Sequence, residues 1–308
     1  VTFTRRAVLA HRCAEDDKTA TRIVISVGRS RDEWAKAIEE SLRAVDRLDK
    51  GTAEGLTATL EWARQELDDL LRHTPEGKFN AARLPSLRQE IDRILTEVRR
   101  RSRGALELAV SDASTLGRDA LVDPLKAAGK NGPAALVPVI DRRTLALAKD
   151  AAGDMITDLT AELRGRARTE VTRAVMGLKS PDEAAAAIAG QLEQEEDAGV
   201  FGSYIARAQA IARTEINGAF ARANADAVKQ TAARLPGLLK KYWLASGDAR
   251  TRPSHYDLWM DTKAAPIDAA DEFTLAGVKC SGPHDPRLPA SEVVNCRCSL
   301  VTLLADDQ

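Results

Sequence analysis

The chain has 308 residues, enough for two domains and a well-buried core. Its 45 Lys and Arg nearly cancel 46 Asp and Glu, so global charge gives no reason to expect nucleic acid or a membrane surface, and any such role needs a local patch. Aromatic residues make up 4%, which suits helices packed through small side chains, and no apolar run approaches the roughly twenty residues of a membrane span. The stretch Ala7–Ala10 behind Arg5 and Arg6 is too short for a secretory signal.

In chain order, Arg22-Ile-Val-Ile-Ser-Val-Gly28 is a candidate strand, β-branched and closed by glycine. Trp34, Ile38, Leu42, Val45 and Leu48 keep helical spacing, and Gly51 marks the end of that helix. Leu56, Leu60, Ala63, Leu67 and Leu71 predict a second helix over about 53–73, broken by His73-Thr-Pro-Glu-Gly77. Ser86 with Gln89 resembles a capping box that opens a third helix, lined by Leu87, Ile91, Ile94 and Val98. It ends before Gly104 in a cluster of Arg99, Arg100, Arg101 and Arg103. These arginines are candidate DNA contacts, although cations near a helix C-terminus also complement its dipole, and that plainer reading is favoured.

A further helix is predicted over about 104–128, then a Gly- and Pro-containing loop, then a long helix from about 141 to Gly177. Gly177, Ser180, Pro181 and Glu183 mark a helix stop and a capped restart. A helix-turn-helix reading of this pair is disfavoured, because the acidic run from Gln191 to Asp197 repels phosphate. The last long helix runs about 201–234 and stops at Pro236-Gly237. Beyond it, Leu238–Leu244 and Val293–Leu304 are apolar and strand-like, separated by turns at Pro253, Pro266, Pro283, Pro286 and Pro289. The predicted fold class is α+β, a mostly helical N-terminal and central region with a small C-terminal α+β module. The expected domains are a helical N-terminal region, 1–135, and a second region, 136–308, with long helices over 140–235 and the module over 237–308.

The chemistry-bearing residues gather in that module. Four cysteines in a chain this long do not make a disulfide framework, and Cys296 and Cys298 are too close for an easy mutual bridge. A reduced, cytoplasmic setting follows. Cys280-x3-His284 and Cys296-x-Cys298 are two closely spaced ligand pairs, and His255 can replace one member. Such pairs suit tetrahedral zinc, which also steadies a loop-rich module with little core. The plain alternative is reduced, part-buried cysteines beside a polar loop histidine. A Cys–His dyad is conceivable but unspecific, and no zinc-protease, phosphate-loop or dinucleotide signature is present. No enzyme activity is expected. Arg213 and Glu215 stand two apart on a helix, so they reach different partners or none.

The order of these pieces carries a resemblance. Ile211-Ala-Arg213-Thr214-Glu215 lies in a long helix, followed by Trp243 in a strand, Asp248-x-Arg250-Thr251 with His255, then Asp285, and finally Asn295-Cys296-Arg297-Cys298. The pattern resembles the phage Mu F-like minor head protein family, also called the SPP1-type phage head morphogenesis proteins, over roughly 140–303. Residues 1–130 add only a general likeness. The resemblance implies a minor capsid protein of a tailed phage or prophage, in few copies at the portal vertex, acting in head assembly and in packaging or delivery of DNA. Implied partners are portal and capsid or scaffold proteins, with double-stranded DNA as a further candidate, and neither a membrane nor a small-molecule substrate. The implied location is the virion or procapsid interior, and the host cytoplasm during assembly. Relatives often carry a cysteine after the Arg-Thr pair, where this chain has Arg252. If that cysteine is a metal ligand in them, this chain lacks the site or rebuilds it with Cys280 and His284. Two other readings stay open. One is a DNA-contacting internal head protein that uses the arginine cluster and Lys240-Lys241. The other, less favoured, is a metal-dependent hydrolase or toxin-like effector.

Overall fold

The computed structural model describes residues 6–8, 24–26, 30–75, 79–128, 138–192 and 203–305. Helix α1 (Ser30–Arg72) passes straight through Gly51 and Gly55, so the two helices expected there are one. The apolar stripe explains why. Trp34, Ile38, Val45, Leu56, Leu60, Ala63, Leu67 and Leu71 are all buried and stay in phase across the glycines. A mid-helix glycine costs about 1 kcal/mol against alanine, less than burying one leucine returns at roughly 1.5–3 kcal/mol.

Helix α2 (Leu84–Ala128) likewise runs through Gly104, and through Pro124, where two helices were expected. It starts two residues before Ser86, out of a turn in which the Asn80 side chain accepts a bond from Arg83 N at 3.2 Å. Ser86 therefore sits inside the first turn, with Gln89 in the second, and the pair is not the cap.

The chain divides into two compact units, each made of discontinuous segments drawn from both sides of residue 135. One comprises Arg47–Ser111 and Arg143–Ile216. Besides its parts of α1 and α2, it holds α3 (Arg142–Val175), α4 (Pro181–Leu192) and the start of α5 (Tyr204–Arg234). The α3–α4 corner matches the sequence expectation. Gly177 adopts φ +70°, and bonds from Gly177 N to Ala174 O (3.0 Å) and Leu178 N to Arg173 O (2.9 Å) close a Schellman motif. Ser180 and Glu183 then exchange bonds of 2.7 and 3.1 Å as a capping box.

The other unit comprises Val1–Asp46, Asp112–Arg142 and Asn217–Gln308. Strands β1 (Arg6–Val8) and β2 (Val24–Ser26) pair antiparallel in it. Strand β3 (Leu239–Leu244) forms the middle of a three-stranded sheet, antiparallel to β4 (Ile267–Asp268) on one side and to β7 (Ser299–Leu304) on the other. Strands β5 (Phe273–Leu275) and β6 (Val278–Cys280) make a hairpin, with Ala276 and Gly277 both at positive φ in its two-residue turn. Helix α6 (Pro253–Ala264) and the short α7 (Ala290–Val293) complete the module. Pro253 is the first-turn proline of α6 and not a loop residue, because its missing N–H costs nothing at that position.

Trp34, Leu121, Leu239, Trp243, Phe273 and Leu300 share the core of this unit. The Trp34 indole donates to the Thr302 carbonyl at 2.9 Å, and the Asn224 amide donates to the Leu300 carbonyl at 3.0 Å. The architecture is α+β as predicted, with a small three-stranded antiparallel sheet in the C-terminal module.

Candidate metal centre

The loop after β3 turns at Gly247, with φ +71°, a left-handed position where an added Cβ would also meet the Trp259 ring at 3.2 Å. Asp248 then organises the turn. Its Oδ1 accepts from Arg250 N at 3.2 Å and from the Thr251 hydroxyl at 3.3 Å, while its carbonyl accepts from Thr251 N at 2.9 Å. This turn leads into α6, which buries His255 on its inner side. The Arg252 guanidinium donates to the Val294 carbonyl at 2.7 Å, across to the segment after α7.

That segment enters β7 through Asn295, whose φ of +57° is a conformation asparagine tolerates better than most residues. Extended backbone then alternates its side chains. Cys296 and Cys298 are buried, while Arg297 is partly exposed and binds both Asp248 carboxylate oxygens at 2.7 Å. The Asp-x-Arg-Thr turn and the Cys-Arg-Cys strand entry are thus joined twice, by an ion pair on the outside and by a His–Cys cluster within.

In the cluster, His255 Nδ1 stands 3.2 Å from Cys298 Sγ and 3.7 Å from Cys296 Sγ. The three ligand atoms lie within 4.8 Å of one another. On the far side of the ring, His255 Nε2 donates to Glu292 Oε2 at 2.7 Å. The Trp243 ring meets His255 edge-on at 5.4 Å. Its buried indole N–H favours a charged Cys298 sulfur. A bond from the Cys298 thiol, opposed by burial and aided by His255 and His284, pulls Cys296 well below the ordinary thiol range. That same bond, with burial, pushes Cys298 up. Burial works against a charged His255, yet its bonds to Cys296 and Glu292 raise it above the ordinary imidazole value.

The donor set fits zinc. Tetrahedral zinc, with bonds of about 2.0 Å to nitrogen and 2.3 Å to sulfur, sets ligand atoms roughly 3.5 Å apart. The two His–Cys distances of 3.2 and 3.7 Å bracket that separation. Glu292 supplies the carboxylate that metal-bound histidines characteristically engage through the other ring nitrogen. Cys298, His255 and Glu292 also line up as a thiol, a base and an orienting acid. However, His255 is 1% exposed, Cys296 2% and Cys298 5%, so a substrate cannot reach the sulfur without opening the fold.

Of the other predicted ligands, Cys280 and His284 both lie outside this group. Cys280 is the more remote in role. It faces Phe273 across the β5–β6 hairpin, and burial pushes its thiol up to about 11. His284 is buried with φ +57°, and its Nε2 donates to the Cys296 carbonyl at 3.0 Å. Asp285, next in the chain, accepts from Ser281 N (2.7 Å), Arg287 N (3.0 Å) and the Arg287 guanidinium (2.8 and 2.9 Å). Burial opposes the charge, yet these bonds hold the carboxyl down at about 2.

Arg213, Thr214 and Glu215 lie on α5 in the helical unit, where Arg213 is 3.7 Å from Asp49. Arg100 and Arg101 both bond Glu97, and Arg101 also covers the Trp62 ring at 4.4 Å. Arg103 bonds Glu107 at 2.6 Å and lies over Gly153, with Asp154 and Asp150 beside it; Arg99 is half-buried nearby. Lys240 is exposed, but Lys241 is buried over the Phe273 ring at 5.0 Å and donates to the Ser281 carbonyl. Glu292 and Arg287 are site residues that sequence reasoning missed, since neither belongs to a spaced motif.

Residues 146–301, about half of the chain, match a family of phage head morphogenesis proteins. The chain belongs to that family, described as Phage Mu protein F like protein. It is 41% identical over 66 residues to the NAD(+)–arginine ADP-ribosyltransferase EFV of Enterococcus faecalis strain V583, a stretch covering 21% of this chain and 12% of that protein. It is 32% identical over 96 residues to the uncharacterized protein YqbB of Bacillus subtilis strain 168, covering 30% of each. The chain therefore spans less than a third of the length of either relative. No solved structure matches it. No helix among the described residues is long and apolar enough to cross a membrane.

Proposed function

We propose that this chain is a minor head protein acting at the portal vertex during procapsid assembly of a tailed phage or prophage, with its C-terminal module held by a zinc ion. The observation that carries this reading is that the motif residues of the module bind one another, the His–Cys cluster inside the fold and the Asp248–Arg297 pair at its surface. His255, Cys296 and Cys298 are buried together, and Asp248 is tied to Arg297. A motif arranged this way fixes the shape of a module and leaves its outer surface to meet protein partners. Cys296 and Cys298 would bind zinc as thiolates and His255 through Nδ1, with Glu292 fixing the imidazole. Bound zinc cross-links α6 to the entry of β7, and its binding energy becomes folding energy for the module.

The proposed place of action is the procapsid interior, with portal, capsid and scaffold proteins as partners and no catalytic turnover. The Enterococcus faecalis relative is named as an ADP-ribosyltransferase, but the shared stretch is 12% of it and carries no activity over to this chain. Direct DNA contact by the arginine cluster has less support, because Arg100, Arg101 and Arg103 are engaged by Glu97 and Glu107.

Co-expression with the portal, scaffold and major capsid proteins of the same phage or prophage tests the assembly reading. Co-elution with portal, and few copies in purified procapsids, are expected. A chain that stays monomeric and has no affinity for portal or capsid contradicts it.

A further inference from the structure

We infer that the zinc site is closed by a fourth ligand, His284 through its Nδ1, making a Cys2His2 centre of Cys296, Cys298, His255 and His284. This rests on the zinc reading above and names the one ligand that reading lacks. Three donors leave one corner of a tetrahedron open, and structural zinc sites close it with protein. At this depth the fourth donor must come from the surrounding side chains.

His284 is built for that position. It is 1% exposed, and its Nε2 sits 3.0 Å from the Cys296 carbonyl. A carbonyl only accepts, so the ring proton is on Nε2 and Nδ1 carries a free lone pair. That Nδ1 is buried and has no hydrogen-bond partner. A buried acceptor left unpaired costs about 1–3 kcal/mol and calls for a cause, a bound ion among them. His255 is arranged in the same way, with Nε2 fixed by Glu292 and Nδ1 turned to the sulfurs. Each ring thus has the outer nitrogen anchored by an oxygen, the usual tautomer lock of a metal-bound histidine.

The backbone agrees. His284 and Asn295 both sit at φ +57°, a left-handed conformation that costs non-glycine residues about 1–2 kcal/mol. Asp285 locks the first of these two turns through its bonds to Ser281 N and Arg287 N. Other neighbours cannot serve. Glu292 is occupied by His255, and Arg252 has no lone pair to give. Cys280 and His284 both lie outside the three residues whose ligand atoms fall within 4.8 Å of one another, so metal binding must draw the fourth donor inward; of the two, His284 is the one already bonded to Cys296. With His284 included, the centre joins three segments, namely α6, the loop after β6, and the entry to β7.

The test is titration of the full-length chain with zinc and with cobalt(II), reading metal per chain, affinity and the cobalt absorption spectrum. The wild type is expected to bind one metal tetrahedrally through two thiolates. His284→Asn, which tolerates the left-handed turn, is expected to lose affinity on the order of a hundredfold or more, beyond what outer-shell changes do. His284→Cys is expected to restore binding and add a third thiolate band. A wild type that binds no stoichiometric metal overturns both readings. Tight wild-type binding that His284→Asn leaves unchanged in affinity and spectrum overturns the His284 assignment alone. If His284→Asn does not fold, His284→Cys decides, and a two-thiolate spectrum in that variant overturns the assignment.

Discussion

At the scale of single residues, the C-terminal module depends on a few polar side chains with assigned partners. Asp285 receives four hydrogen bonds within the Ser281–Arg287 turn and keeps its charge down to about 2, against an ordinary value of 3.8. Its contribution is therefore complete above the unfolded value and is lost as pH falls through the folded one. Asp285→Asn is expected to cost about 2 kcal/mol near neutral pH, as loss of bonds to a charged group does. Urea melts at stepped pH should show that the difference from wild type shrinks between pH 3.8 and about 2. A gap that stays constant through that window counts against the assignment. Trp243, fully buried between His255 and Phe273, should cost about 3–5 kcal/mol when cut to alanine, measured in the same way. Much of this site was legible in the sequence, because Asp248, His255, Asn295 and the Cys-Arg-Cys run are spaced as a motif. The Cys280–His284 pair was less legible, since its spacing looks like a chelate while neither residue joins the three-residue group. Strand β6 turns the Cys280 thiol to the hairpin core, while the left-handed turn at His284 carries the ring to Cys296. Glu292 was invisible, because only the fold brings it to His255.

At the scale of elements, helix type and phase were readable and helix ends less so. The stripes of α1 and α2 predicted helix throughout, but Gly51 and Gly104 looked like stops. Nothing lies within 4 Å of a Cβ placed on Gly51 or Gly104, so neither glycine is required by packing. Alanine at either position should raise stability by about 0.5–1 kcal/mol. Gly117 is the opposite case, since its Cβ would fall 2.1 Å from the Phe220 carbonyl oxygen. Gly117→Ala should therefore lower the melting temperature, by roughly 2–8 °C for each kcal/mol lost. Equal effects at Gly51 and Gly117 would contradict this account of the helices. Helix α6 escaped the sequence reading because Pro253 looked like a turn, and because its buried face is mainly His255 and Thr262, which give no apolar stripe.

At the scale of the whole molecule, each compact unit interleaves segments from both sides of residue 135. Sequence separation hid this, because Trp34 and Leu121 join the core of a module that begins more than a hundred residues later. A fragment of residues 136–308 should accordingly unfold at lower urea than the intact chain, with Trp34 and Leu121 missing from its core. Unchanged unfolding of that fragment would show that this shared core contributes little. The central claim is that the buried His–Cys cluster is a metal-held clasp for the C-terminal module of a phage head protein. Thermal unfolding of the full-length protein before and after zinc removal by a chelator tests it most directly. The predicted result is a drop in melting temperature on zinc removal that one equivalent of zinc reverses, and that vanishes in Cys296→Ser. An unchanged melting temperature in protein shown to be metal-free would contradict it.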